Sequence, residues 1–501
     1  MNEHLIEFSQ LQQKLRSVYE RTFPDRLAHR TIVVIPSLTL HPSELAKISG
    51  VHHYEERMLA LLMLLQYPNT QLIYVTSQSI SQTVIDYFLH LLPGIPFTHA
   101  RRRLHLFDCN DASSLPLVRK ILDRPRLIHK IREAIPDPET AHISCFNCTT
   151  LESELASRLG IPLYATDPKY LKFGSKSGSR QVLAAAGLCL PEGFENVPDE
   201  AGIVDCLVRL KQRHPDLKKA VIKLNEGFSG EGNATFSYAD CPDSGIENWI
   251  RSEISRHVHF EAVNETWDDF MDKFRSMEGI VEAFVDGDEK TSPSVQCRIN
   301  PLSEVEVIST HDQILGGPSG QVYLGCTFPA NSEYRLALQD AGRRVGEVLR
   351  DEGVIGRFGI DFISVREATG WKHYAIEINL RKGGTTHPYM MLQFLTHGQF
   401  DDATGEFLVP GGESRCYISS DNLCSEDYRG LCPDDLIDIV VEQDLHFHST
   451  IQEGVVFHLI GALSEFGKLG VVCIAKDLDK AREYYHQTME ALESANPGHA
   501  E

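Results

Sequence analysis

The segment HYAIEINLRKGGTTHP, residues 373–388, places an acid and an amide two residues apart, Glu377 and Asn379. Arg381 and Lys382 follow, and then Gly383 and Gly384. Side chains alternate across a strand, so Glu377 and Asn379 share one face. The preceding segment RFGIDFISV is separated from it by polar residues around Gly370, which predicts an antiparallel hairpin. Asp361, set between Ile360 and Phe362, turns away from the apolar flank toward the same face. Three hard-oxygen side chains on one sheet face suit Mg²⁺ that also binds phosphate oxygens. A merely acidic solvent face is the plain alternative, but such faces rarely use Asn, a poor strand former.

Other residues could serve phosphate chemistry. IKLNEGFSGEGNA brings Gly227, Ser229, Gly230 and Gly232 into a turn whose backbone N–H groups can approach an anion closely. No Gly-Lys-Ser/Thr follows, so this is not a Walker A loop. Lys223 lies in the apolar strand before the turn, well placed to meet phosphate. Taken alone, the pattern equally describes a plain hairpin. In GIVEAFVDGDEKTS, Glu282 and Glu289 could accept from an adenine amino group or ribose hydroxyls, although exposed acids on a surface strand are the commoner case. There is no Gly-x-Ser-x-Gly elbow and no Cys–His pairing. CFNC, holding Cys145 and Cys148, lacks a second pair of metal ligands and is expected to be structural.

The elements that must position these groups follow from the apolar periodicity. TIVVIPSLTL and TQLIYVTSQ are buried-strand patterns, with helical YEERMLALLMLLQYP between them and helical SQTVIDYFLHLLPG after them. The alternation predicts an α/β unit on a parallel sheet, ending near residue 166. A helix over KSGSRQVLAAAG, the strand–turn–strand above and a run of strands from Gly279 come next. The last hundred residues predict a small α/β segment with a final helix over LDKAREYYHQTMEALE.

The 501 residues allow several packed units. Acids outnumber Lys plus Arg by 70 to 48, a formal net charge of −22, which argues against a nucleic-acid binder. No apolar run is long enough to span a bilayer, and the charged opening residues have no leader pattern, so no membrane partner is expected. Twelve cysteines without framework spacing suggest a cytoplasmic location.

In order and spacing, five motifs together resemble the ATP-grasp carboxylate–amine ligases. They are the helix lysine Lys176, the strand lysine Lys223 with its glycine flap, the hinge VEAFVDGDE, Asp361, and the Glu377/Asn379 pair. The resemblance spans residues 166 to 400. The flanking segments and EINLRKGGTTHP resemble the branch that contains the pheganomycin-biosynthesis peptide ligase. This implies a pre-ATP-grasp α/β domain over 1–165, a central subdomain with the flap over 166–280, a metal-bearing subdomain over 281–400, and a small C-terminal domain over 401–501. It further implies ATP, with Mg²⁺ (or Mn²⁺ in its place) held by Asp361, Glu377 and Asn379. Lys176 and Lys223 would bind phosphate, Glu282 and Val285 adenine, and Glu289 ribose.

The implied reaction joins a carboxylate and an amine, an amino acid or peptide, through an acyl phosphate, in a chain that could be a homodimer. Arg381 would face the transferring phosphoryl group, since its planar fork can hold two oxygens. Arg298, in QCRINP, is a weaker candidate for holding substrate or phosphate, and Gly383, Gly384, Thr385, Thr386 and His387 could line the substrate site. Two other readings stay open: a regulatory or scaffold protein that binds ATP without turnover, and phosphoryl transfer to a non-carboxylate acceptor.

Overall fold

The computed structural model describes residues 3–40, 42–227, 232–262, 265–316 and 322–495, so Ser229 and Gly230 of the glycine turn lie outside the described residues. The β-branched runs near the start form a four-stranded parallel sheet. Its order is Leu104–Asp108, Thr70–Thr76, Arg30–Ile35, Ala141–Cys145. Arg30–Ile35 is buried along its whole length, as a parallel strand covered on both faces must be. Helix Gln82–His90 lies where the alternation predicts, and helix Thr150–Leu159 follows the last strand of the sheet. The second opens on a capping box, Thr149 with Glu152. Val51–Gln66 is also helical, but it winds as a 3₁₀ helix. IPLYAT, where the alternation closes, adds only a bridge from Leu163 to Ile143, next to Pro162, which has no N–H to extend a ladder.

Lys219–Leu224 and Asn233–Ser237 pair antiparallel around the glycine turn. They belong to a five-stranded sheet that also contains Gly279–Ala283. Helices Glu200–Arg213 and Trp267–Met277 pack on it, burying Leu207, Phe236, Phe270 and Phe274.

The expected hairpin, Gly356–Glu367 with Gly370–Asn379, sits in an eleven-stranded sheet. Helices Lys176–Ala185 and Arg335–Asp351 cover one of its faces, packing Leu183, Leu338 and Val345 against Val295, Phe358 and Ile360. The alternate face, with Asp361, is thereby left to line a cavity.

The small C-terminal segment continues this sheet. Ser414–Cys424 pairs with Val322–Phe328 on one side and Lys468–Ala475 on the other, and Lys468–Ala475 pairs with Gly454–His458. These strands share one apolar core with helix Thr386–Thr396 and the inner face of the parallel sheet, joining Ile32 and Tyr74 to Leu392, Val456 and Val472. Each such side chain removed from water contributes about 1.5–3 kcal/mol, so the two ends of the chain hold each other in place. Among the described residues, no helix is long and apolar enough to cross a membrane.

Candidate active site

A cavity of about 980 Å³ lies between the five-stranded sheet and the hairpin face. Lys176, Lys223, Gly227, Glu282 and Val285, expected from the motifs to meet a nucleotide, line one side of it. Asp361, Glu377, Asn379 and Arg381 line the hairpin side, with Gly383, Gly384 and Thr385 beyond them.

Strand pairing assembles the acids. Asp361 stands opposite Glu377, and Gly359 opposite Asn379, with a register irregularity just after Asp361. Asn379 Nδ2 donates to Asp361 Oδ2 at 2.8 Å and to Glu377 Oε1 at 3.3 Å. Gln313 Nε2 donates to Asp361 Oδ1 at 2.7 Å. Lys176 Nζ clasps Glu377 Oε2. Burial raises the pKa of Asp361, while Lys176 and Arg381 lower it. Burial first, and Lys223 second, press Lys176 down to about 7, with Asp361 and Glu282 acting the other way. An arriving phosphate would therefore restore charge to Lys176.

Two carboxylates and an amide on one face form a donor set that fits Mg²⁺. Asn379 turns its N–H, not its oxygen, toward the two acids, so a half-turn of the amide would complete three oxygen donors.

Glu282 differs from expectation. Lys223 Nζ lies 2.6 Å from its Oε1 and Arg180 Nη1 2.8 Å from its Oε2, so both oxygens are already occupied by protein cations. Arg180 has no counterpart in the motif reading. The three side chains are 3–8% exposed. Removing one partner of such a group leaves buried charge uncompensated, at about 3–5 kcal/mol. Glu282→Gln is therefore expected to lower unfolding stability by about that amount, measured by urea unfolding. A loss below about 1 kcal/mol, the range of exposed pairs, would contradict the burial argument.

The glycine turns show why glycine stands there. A Cβ on Gly227 would lie 3.2 Å from the Gly232 Cα, so the two glycines cross at close range. A Cβ on Gly384 would come within 2.7 Å of the Tyr323 ring. Arg381 Nη2 donates to Asn379 Oδ1 and Nη1 to the Lys382 carbonyl, both at 3.1 Å. Lys382 points away from this cavity and donates to the Cys145 carbonyl.

Five expected residues lie off this cavity, Gly232 among them, buried where it crosses Gly227. Glu289 is exposed, and its carbonyl accepts from the Arg366 N–H. Thr386 accepts from the Gly383 N–H at 3.0 Å and is buried behind the turn. His387 is buried in a cluster with Asp421 and His458, its Nε2 2.9 Å from His458 Nε2 and 3.3 Å from Asp421 Oδ1. Arg298 faces a different cavity and pairs with Glu306.

Other lining residues were not anticipated. Arg57 stacks 4.6 Å from the Phe146 ring centroid and lies 3.3 Å from Asp421 Oδ2. Gln313 supports Asp361, as described above. Arg57 and Asp421 are 364 residues apart, a pairing that local pattern cannot signal.

Comparison with known proteins shows what the chain is similar to. Residues 170–262 and 256–403 match a family model described as "IQCH-like, ATP-grasp", and residues 435–488 match one described as "PGM1 C-terminal domain". The chain is 28% identical over 471 residues to the L-propargylglycine–L-glutamate ligase of Streptantibioticus cattleyicolor, covering 92% of this chain and 94% of that protein. It is 23% identical over 436 residues to IQ motif-containing protein H of Danio rerio, covering 77% of this chain and 41% of that protein. Among solved structures, a biotin carboxylase–β,γ-ATP complex from Campylobacter jejuni has the same fold, with TM-score 0.56, 12% identity, and 94% and 96% of the two chains covered.

Proposed function

We propose that the chain is an ATP-grasp ligase that joins the carboxylate of one amino acid or peptide to the amine of another through an acyl phosphate. The observation that carries this reading is that the acids Asp361 and Glu377 converge with Asn379 and Arg381 in one cavity beside Lys176 and Lys223. Pure nucleotide binding does not require all of these groups. The kinship to a protein named for joining two amino acids supports the choice of substrates.

A carboxylate is a poor electrophile and must be activated. The substrate carboxylate oxygen attacks the γ-phosphorus of ATP, the bond to the bridging oxygen breaks, and ADP leaves. The amine then attacks the acyl carbon, phosphate departs with the C–O electron pair, and the nitrogen loses a proton. Positioning and charge neutralisation carry such steps, so no protein nucleophile is needed. Lys176 and Lys223 hold phosphate oxygens, and Arg381 stands where negative charge grows. Asp361, Glu377 and Asn379 would hold Mg²⁺, which when bound neutralises phosphate charge. The twelve cysteines are all unpaired, which suits the cytoplasm.

Hydroxylamine trapping tests the reading. With ATP and a panel of amino acids and short peptides, the expected result is ADP release that depends on the acid, together with a hydroxamate. Nucleotide bound without ADP release would leave only a binding protein.

A further inference from the structure

A second cavity of about 420 Å³ adjoins the first, and Arg381 and Phe146 line both. Six cationic side chains line it, Arg26, Arg30, Arg298, Arg357, Arg381 and Lys382, and among the described residues no Asp or Glu does. This is a local excess of positive charge in a chain whose formal net charge is −22. One sign of charge in low-dielectric walls focuses the field on a guest of the other sign.

The charges are only partly answered by protein. Arg298 pairs with Glu306, and Arg30 donates to the Asp25 carbonyl. The Arg357 guanidinium makes no hydrogen bond or ion pair among the described residues. Burial, and then Arg298 beside it, press Arg357 down to about 10. His142 Nδ1, Tyr164 Oη, Thr166 Oγ1 and Arg298 Nε are also buried without partners. Leaving such groups unsatisfied costs about 1–3 kcal/mol each.

The hairpin strand links the two cavities. Asp361, Gly359 and Arg357 alternate onto one face, so Arg357 lies about 13 Å along the strand from Asp361. Arg381 belongs to both cavities.

Building on the ligase reading, we infer that the acid substrate occupies this second cavity and carries a second anionic group, carboxylate or phosphate. Arg357 and Arg298 hold that group while the reacting carboxylate is presented to Arg381.

The test measures ADP release by the full-length chain, with hydroxylamine as acceptor, for three pairs of acids. These are L-glutamate and L-glutamine, L-aspartate and L-asparagine, and O-phospho-L-serine and L-serine, each free and at the C-terminus of a glycyl dipeptide. A charged hydrogen bond predicts kcat/KM about 10–100-fold higher for the charged member. Whichever pair shows the preference tells carboxylate from phosphate. Arg357→Met should abolish the preference and leave the KM for ATP unchanged, and Arg298→Met should weaken it. Equal use of charged and neutral members by the native chain overturns the inference without any variant, as does a preference that survives Arg357→Met. Failure of every acid to support ADP release would instead remove the ligase reading, and this inference with it.

Discussion

Glu377→Gln will lower acid-dependent ADP release by at least about 100-fold, more than the loss usual for a residue that only supports a metal ligand, and Asp361→Asn will do the same. Both changes keep side-chain shape and remove one negative charge from the face that faces phosphate. At Glu377 the partner left behind is Lys176, which burial has already pressed down to about 7, so it can shed its proton instead of staying an unpaired charge. At Asp361 the new amide meets two donors, Gln313 Nε2 and Asn379 Nδ2, and can accept from only one of them. A small stability loss is expected there and none at Glu377. Circular dichroism and a melting curve check the fold, and a coupled assay measures ADP. Near-native ADP release by either variant would remove these residues from the metal site.

Arg381→Ala will reduce kcat by about 10²–10³, the usual loss for a group that stabilises charge growing in the transition state. The KM for ATP should stay within about threefold, because uniform binding would appear in KM instead. Arg381 also holds Asn379 through Oδ1, so part of the loss could come from a misplaced Asn379. Arg381→Lys separates the two. An ammonium restores the charge but cannot reproduce the planar fork that spans Asn379 Oδ1 and the Lys382 carbonyl. Recovery by Lys would assign the loss to charge, and no recovery would assign it to geometry. A rise in the KM for ATP that accounts for the whole fall in kcat/KM would refute a transition-state role.

The hairpin was legible because alternation and a polar turn are local, and they put Asp361, Glu377 and Asn379 on one face before any packing is known. The glycine flap was legible for the same reason. Strand Ser414–Cys424 was not: it is central and buried, yet it carries Ser419, Ser420 and Asp421 at its middle, so no apolar run announces it. The partners of Glu282 were hidden by distance, since Arg180 comes from a helix 102 residues earlier. Arg298 shares its strand and parity with Gln296, which lines the first cavity. Alternation correctly gives the face but cannot show that Arg381 and Phe146 divide that face in two.

The shared apolar core of the two chain ends bears on how the protein is made. Helix Val51–Gln66, which packs on strand Thr70–Thr76, is itself covered by helix Thr386–Thr396 and strand Gly454–His458, far along the chain. At about 5–20 residues per second, a ribosome needs roughly 20 to 90 s to deliver that cover. Through that interval the outer apolar side of helix Val51–Gln66 stays uncovered, and chaperones that shelter such faces become participants in its biogenesis.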